Sequence, residues 1–224
     1  MLHSLNRFIK LPRIRLAQRI GKNTNTKTRE SFLMKKTINV FINLLTIGTL
    51  IMSCGSKESS QKQDVAIIST KYGDMVVEFF DEHAPKHVES FKMHSQNGYY
   101  NGTIFHRVIP GFVIQGGDPN SKSEDRGMHG IGGNAAKYFG VGDERDSTTW
   151  SIPAEFNSLK HQKGILSMAR ANDPNSAGSQ FFICAGNVNQ LDNNYTVFGK
   201  VIKGLTIIDQ IVNVPRDGRD NPND

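Results

Sequence analysis

Short apolar runs separated by glycine, proline and asparagine recur along the chain from residue 65 onward. Runs of this length, rich in valine, isoleucine and phenylalanine, predict β-strands. The first two runs flank residues 71–74, which read KYGD and predict a hairpin turn. The strands predicted from the whole pattern are 65–70, 75–80, 103–109, 112–117, 164–170, 179–185 and 196–202.

Two other segments place their apolar residues at helical spacing. The first begins near Pro85, which suits the first turn of a helix, and ends at Asn97. The second extends over 205–213 and stops before Pro215. Many short strands with only two helices predict a mainly β domain over 65–224, built as a closed or nearly closed antiparallel barrel that the helices cap.

The chain before residue 65 has a different pattern. Residues 1–33 are basic and polar without a sustained apolar period, so we expect them to be disordered or to precede the true start codon. From Met34, two lysines introduce a mainly apolar stretch ending at Met52, and this order predicts a secretory signal peptide over 34–53. The stretch is shorter than the ~20 residues that a membrane span needs.

The end of this stretch, from Leu50 to Cys54, reads LIMSC. It resembles a bacterial lipobox, with Met52 and Ser53 in place of the more usual small pair, and the resemblance implies that Cys54 is lipidated. Residues 54–64 then form a polar tether. The alternative is an uncleaved signal anchor with an incidental cysteine. The lipobox interpretation places the protein at a bacterial cell envelope, lipid-anchored, on the periplasmic or extracytoplasmic face.

The charged residues are also distributed unevenly between the leader and the rest of the chain. Of 27 basic and 21 acidic residues, ten basic residues and one acidic residue lie in 1–53, which leaves 54–224 with a net charge of −3. The basic character therefore belongs to the leader, and we expect no nucleic-acid partner. Two cysteines give neither a disulfide framework nor a zinc quartet, and no metal or cofactor is expected.

Three weaker patterns are interpreted conservatively. Residues 130–135 fit the dinucleotide pattern GxGxxA but lack the βαβ context, so we expect a glycine-rich surface loop. His83 and His87 are four residues apart without a third ligand, which favours a solvated helix start over a metal site. His106 alternates away from its neighbour Arg107 and is expected to be packed rather than catalytic.

The segment from Phe105 to Asp118 reads FHRVIPGFVIQGGD and predicts two strands around a Pro-Gly turn. Strand alternation puts Arg107 on the same face as Phe105. An arginine among apolar residues is costly to bury unless it pairs with a carboxylate or lines a cleft, and this segment alone leaves both open. Two later blocks, 164–185 and 191–201, add glutamine, phenylalanine, leucine and tyrosine near turns.

Together, in this order and spacing, the three blocks closely resemble the cyclophilin family over roughly 65–218. The resemblance implies an eight-stranded barrel with two helices, whose outer face carries a groove for proline-containing peptides. Relatives usually continue past a segment such as 215–224 into a last strand that closes the barrel. We therefore expect that strand to be missing here, with an exposed edge beside the first strands.

The resemblance also assigns roles by position. Arg107 matches the family's catalytic arginine. The wall and floor of its proline pocket match Phe112, Val113, Phe182 and Leu191. The groove that holds the peptide backbone matches Gln115, Ala169, Arg170, Ala171 and Gln180. Tyr195 stands where many eukaryotic relatives have histidine and bacterial ones can have tyrosine, and Arg170 replaces a common asparagine.

The implied function is peptidyl-prolyl cis-trans isomerisation of envelope or secreted proteins, which would assist their folding. The expected partners are proline-containing polypeptides and, through the lipid anchor, a membrane; a monomer is expected. The alternative from another class is a non-catalytic proline-peptide binding or holdase module that uses the same groove. The presence of Arg107 favours the enzyme.

Overall fold

The computed structural model describes residues 13–19 and 63–223. The predicted signal peptide at 34–53 and the predicted lipidation site Cys54 lie outside the described residues, as does the predicted tether apart from its last two positions. Those two positions already belong to a strand, which begins at Gln63 rather than at residue 65.

Eight strands and two α-helices make up the described domain. The strands are β1 (Arg13–Arg19), β2 (Gln63–Thr70), β3 (Gly73–Phe79), β4 (Arg107–Ile109), β5 (Val113–Gly116), β6 (Ile165–Met168), β7 (Phe181–Cys184) and β8 (Val197–Lys203). The helices are α1 (Pro85–Gln96) and α2 (Leu205–Val212).

The strands form one antiparallel sheet in the order β1-β2-β3-β8-β6-β7-β5-β4. The sheet curls into a half-barrel, which confirms the mainly β architecture with eight strands and two helices. Its outermost strands are β1 and β4, and no pairing joins them within the described part of the chain. A closed barrel is therefore not confirmed.

Strand β1 lies within residues 1–33, where the sequence pattern favoured disorder or a start codon assigned too far upstream. It pairs with β2 over its whole length. Ile14 is only 2% exposed in the hydrophobic core, and Leu16 packs against the same core. The expectation of disorder is therefore wrong for 13–19. Two aliphatic side chains among arginines give only a weak strand pattern in the sequence, and it is the pairing with β2 that stabilises this strand. The upstream start codon stays a prediction.

The edge expected beside the first strands is displaced by one strand: among the described residues it lies on β1 and not on β2. The outer edge of β2 is covered by β1, with Ile14 opposite Ile68 and Leu16 opposite Ala66. Seven strands come from the segment 63–203, and the eighth comes from the upstream segment rather than from a later part of the chain.

Both helices bury an apolar face. In α1, the ring of Phe91 meets four aromatic rings at centroid distances of 5.1 to 5.7 Å: Phe79, Tyr100, Phe181 and Phe198. In α2, four aliphatic side chains at helical spacing are buried: Ile207, Ile208, Ile211 and Val212. These contacts place the main core inside the curl of the sheet. A second, smaller cluster takes its buried strand residues from β5, β6, β7 and β8.

The start of α1 is held by a carboxylate from a distant loop. Glu155 accepts hydrogen bonds from the backbone N–H groups of Lys86 and His87 at 3.1 Å, and its Oε2 lies 2.7 Å from Nδ1 of His87. Partial burial would raise the pKa of Glu155, but the hydrogen bonds from His87 and Lys86 outweigh it and lower that pKa. His87 is 1% exposed, so the expected solvated helix start is wrong for this residue.

Candidate functional site

The hairpin of β4 and β5 places Arg107 and Gln115 side by side. The two residues are direct partners in the antiparallel register. The turn between the strands uses Gly111 at a φ of 70°, a left-handed conformation that glycine adopts without steric penalty. Nη1 of Arg107 lies 3.4 Å from Oε1 of Gln115, and its guanidinium carbon lies 5.8 Å from the ring centroid of Phe112.

A chain of side-chain amides continues from this pair. Nε2 of Gln115 donates to Oε1 of Gln180 at 3.0 Å. The amide nitrogen of Gln180 in turn donates to the carbonyl oxygens of Gly130 and Gly132, at 3.0 and 2.7 Å. The glycine-rich loop expected at the surface is thus tied to the hairpin, and Arg107 is oriented through partners that carry no charge.

Beside Arg107 lies an apolar socket. Val113 and Phe182 are 2% and 4% exposed, and Phe112 and Leu191 pack against them partly buried. Tyr195 meets the edge of Phe182 at a centroid distance of 5.7 Å. These side chains form a cluster separate from the main core, so their apolar surface faces a groove rather than the interior of the half-barrel.

The structure brings the site residues named from the sequence to two adjoining cavities. The first, about 330 Å³, is lined by nine of them: Arg107, Phe112, Val113, Gln115, Ala169, Arg170, Phe182, Leu191 and Tyr195. The second, about 420 Å³, shares Gln115, Ala169 and Arg170 and adds the remaining two, Ala171 and Gln180. The two cavities together form one groove.

Arg107 has no carboxylate within ion-pair distance in the described ranges 13–19 and 63–223. The salt-bridged arginine that the sequence left open is therefore not what the structure contains. The guanidinium is half-buried, permanently charged and held beside an apolar surface. A group in this position can donate hydrogen bonds to electron density that develops in the groove.

Sequence reasoning missed several residues of the first cavity. Besides His106 and Gly130, they are Arg126, His129, Arg219 and Asn221. Arg126 begins a short 3-10 helix and Arg219 lies in a turn. The contacts that join the two segments include the ion pair between Arg126 and Asp217 at 2.7 Å. No periodicity or local motif marks such residues, because a tertiary contact alone places them beside the groove.

His106 is packed as expected, but it also reaches the groove. It is 5% exposed, and neither ring nitrogen has a hydrogen-bond partner among the residues described. Burial lowers the pKa of His106 to about 4, against an opposing attraction to Asp118. The ring is therefore neutral at neutral pH and adds no charge to that of Arg107.

The fold is a curled antiparallel sheet with two helices, and its groove places an arginine beside an apolar socket. These two features define a cyclophilin-like domain. A family model described as "Cyclophilin type peptidyl-prolyl cis-trans isomerase/CLD" matches residues 65–224. The chain belongs to this enzyme family, the cyclophilin-type peptidyl-prolyl cis-trans isomerases.

Known proteins show the same relationship. A cyclophilin type peptidyl-prolyl cis-trans isomerase of Cryptosporidium parvum, solved in the presence of the dipeptide Ala-Pro, has a TM-score of 0.60 and 37% identity, covering 70% of this chain and 90% of that chain. A peptidyl-prolyl cis-trans isomerase of Acinetobacter baylyi is 34% identical over 176 residues, covering 76% of this chain and 81% of the relative.

A third relative is much longer. The mouse (Mus musculus) peptidylprolyl isomerase domain and WD repeat-containing protein 1 is 40% identical over 166 residues, 73% of this chain. The match spans only 23% of that protein, so this chain corresponds to one part of it.

Within 13–19 and 63–223, no group of three or more His, Cys, Asp or Glu side chains is placed to hold a metal ion. Neither helix of that part of the chain is long and apolar enough to cross a membrane.

Proposed function

We propose that this domain catalyses cis-trans isomerisation of X-Pro bonds in polypeptides, with Arg107 as its catalytic residue. The observation that carries the proposal is the position of the Arg107 guanidinium, beside Phe112 at the apolar socket and without a carboxylate partner among the described residues. The relative solved in the presence of Ala-Pro supports a proline-containing ligand.

The reaction sets modest chemical demands. Rotation about a peptide bond faces a barrier of about 18–20 kcal/mol, because the nitrogen shares its lone pair with the carbonyl. For an X-Pro bond the cis form lies within roughly 0.5–1 kcal/mol of trans, so both isomers are present. A catalyst therefore needs neither a nucleophile nor a cofactor. It needs groups that bind the twisted amide more tightly than either planar form.

The residues of the groove meet these demands. The socket formed by Phe112, Val113, Phe182 and Leu191 would hold the proline ring. Gln115 and Gln180, with the backbone near Ala169, would bind the flanking peptide. Arg107 would donate to the prolyl nitrogen, whose lone pair becomes available only when the bond leaves planarity. That hydrogen bond is stronger in the transition state than in the ground state, which accelerates rotation.

An isomerisation assay on a short X-Pro peptide tests the proposal. Arg107→Ala should lower kcat/KM about 100- to 1000-fold, ~3–4 kcal/mol, as for loss of one preorganised oxyanion donor. Arg145→Ala, at an exposed arginine that does not line the groove, is the matched control and should keep the wild-type rate. If wild type binds the peptide without accelerating its isomerisation, the binding or holdase module replaces the enzyme.

We also propose that the domain acts at a bacterial envelope as a lipid-anchored monomer, assisting the folding of envelope or secreted proteins. The anchored form would begin at Cys54 and would lack β1, which would then belong to the unprocessed chain alone. The support is the order of basic, apolar and LIMSC segments ahead of Cys54. One acyl chain binds a membrane only marginally, so stable anchoring requires several. Labelled palmitate should enter the wild type and not Cys54→Ser; equal labelling of both would overturn the anchor.

A further inference from the structure

The charges around the first cavity are unbalanced. Its lining includes four arginines and no aspartate or glutamate: Arg107, Arg126, Arg170 and Arg219. This contrasts with residues 54–224 as a whole, which carry a net charge of −3. The groove is therefore a local basic region on an otherwise slightly acidic domain.

One of these arginines is already neutralised. Arg126 lies 2.7 Å from Asp217 and donates to the carbonyl oxygens of Asn221 and Pro222 at 2.8 and 2.7 Å. The same pairing lowers the pKa of Asp217 to about 2. Arg126 is thus fixed as part of the wall and has little charge to offer a ligand.

Arg170 and Arg219 have no such counter-charge among the described residues. Arg170 stacks over the ring of Tyr195 at 4.7 Å and donates only to backbone carbonyls, including that of Asn194. Arg219 is exposed, and its guanidinium donates to the carbonyl oxygen of Arg126 at 3.1 Å. Both guanidinium groups therefore keep their full charge and some free donors.

The topology places these two charges on opposite sides of the socket. Arg170 lies two residues after the end of β6. The loop of Arg219 is attached to β4 through the hydrogen bond from Val108 N–H to the Asp220 carbonyl at 2.8 Å. In the sheet, β7 and β5 are adjacent, with β6 on the outer side of β7 and β4 on the outer side of β5. Strand β7 carries Phe182, and β5 carries Gln115, which pairs with Arg107. A peptide seated in the socket would meet one cation on each side.

We infer that the groove selects X-Pro segments with acidic residues flanking the proline, with Arg170 and Arg219 as the specificity-determining residues. This inference rests on the proposed function, since it names the substrate class of the same site. Carboxylate side chains are the matching chemistry, because arginine presents a planar fork of donors to them. Both cations are at least partly exposed, so each contributes a modest preference that salt weakens.

The test compares three peptides that share one Ala-Pro bond and differ only in the residues around it. The first peptide is neutral, the second has one glutamate within two residues on each side of the bond, and the third has lysine at the same positions. At low salt, kcat/KM for the acidic peptide should exceed that for the neutral one by about three- to fivefold per glutamate. The gain should lie mainly in KM and fade with added salt, and the lysine peptide should be the poorest.

Variants assign the effect to the two residues. Arg170→Gln and Arg219→Gln should each reduce the ratio of acidic to neutral kcat/KM about threefold, whereas Arg145→Gln, outside the groove, should leave it unchanged. If the neutral peptide is isomerised and the acidic one shows no preference, or if both variants keep the wild-type ratio, this inference is overturned. If wild type accelerates no peptide, the proposed function itself fails.

Discussion

At the scale of single residues, His106 and the first residue of β4, Arg107, line the groove side by side but differ in charge. Arg107 brings a guanidinium cation. His106 is neutral at neutral pH, because burial lowers its pKa to about 4. Strand alternation predicted that the two side chains differ in environment. It could not show that both reach the groove, because that depends on the loop around Gly130, which closes over His106.

The buried state of His106 predicts a pH dependence of stability. Its pKa in the folded protein, about 4, is lower than the ordinary value near 6.5, so the folded form resists a proton that the unfolded chain accepts. Its contribution is fully present above pH 6.5 and is lost as the pH falls toward 4, in total roughly 3 kcal/mol. The free energy of unfolding, measured by urea titration, should therefore decrease between pH 7 and pH 4.5.

Replacing the imidazole isolates that contribution. His106→Gln should flatten the decrease, whereas His83→Gln, at an exposed histidine, should retain it. Part of the slope should persist in His106→Gln, because burial also lowers the pKa values of His94 and His161. Identical slopes in His106→Gln and wild type would contradict the account of a buried neutral His106.

At the scale of elements, β1 is the largest departure from the sequence prediction. Its aliphatic residues are too few to mark a strand locally, yet Ile14 is among the large side chains that are buried most fully. The pairing partner β2 comes from a distant part of the chain, so pattern analysis of a local window cannot find the contact. The helices and the hairpin of β4 and β5, in contrast, depend on local spacing and turn residues and were predicted.

The burial of Ile14 predicts a clear effect on stability. In the full chain, Ile14→Ala should lower the free energy of unfolding by about 2–4 kcal/mol, because it leaves a cavity in the core. Its neighbour Arg15 is exposed and reaches Asp74 only at 3.7 Å, so Arg15→Ala should change stability by less than about 1 kcal/mol. Equal denaturation curves for the two variants would show that β1 does not contribute to the fold.

The carboxylate that caps α1 shows the same limit of local analysis. The spacing of His83 and His87 predicted a solvated helix start, but Glu155 lies 68 residues from His87 and reaches its ring and backbone. A buried imidazole next to a helix N-terminus needs an acceptor of this kind, since its N–H would otherwise lose a partner. The acceptor is supplied by a loop whose sequence has no helix signal.

At the scale of the whole molecule, the three sequence blocks predicted the family, the sheet architecture and the residues that converge on the groove. The family and the site residues came from the resemblance of these blocks to cyclophilins. Strand alternation and turn residues alone predicted the hairpin that places Arg107 beside Gln115. The pairing of β1 with β2 and the basic side of the groove were not predicted. Both depend on loops and edges, where tertiary contacts such as that of Arg126 with Asp217 decide the position.

The central claim is that Arg107 stabilises the twisted prolyl amide rather than holding the peptide. When the protein is saturated with an X-Pro peptide, NMR exchange spectroscopy measures the rate at which the bound peptide interconverts between cis and trans. This rate is obtained separately from the affinity of the peptide. Wild type should show rapid exchange of bound peptide. Arg107→Ala should slow that exchange at least 100-fold while Kd changes only a few-fold, because the socket remains. Rapid exchange in Arg107→Ala, or loss of binding without any change in the exchange rate, would contradict the claim.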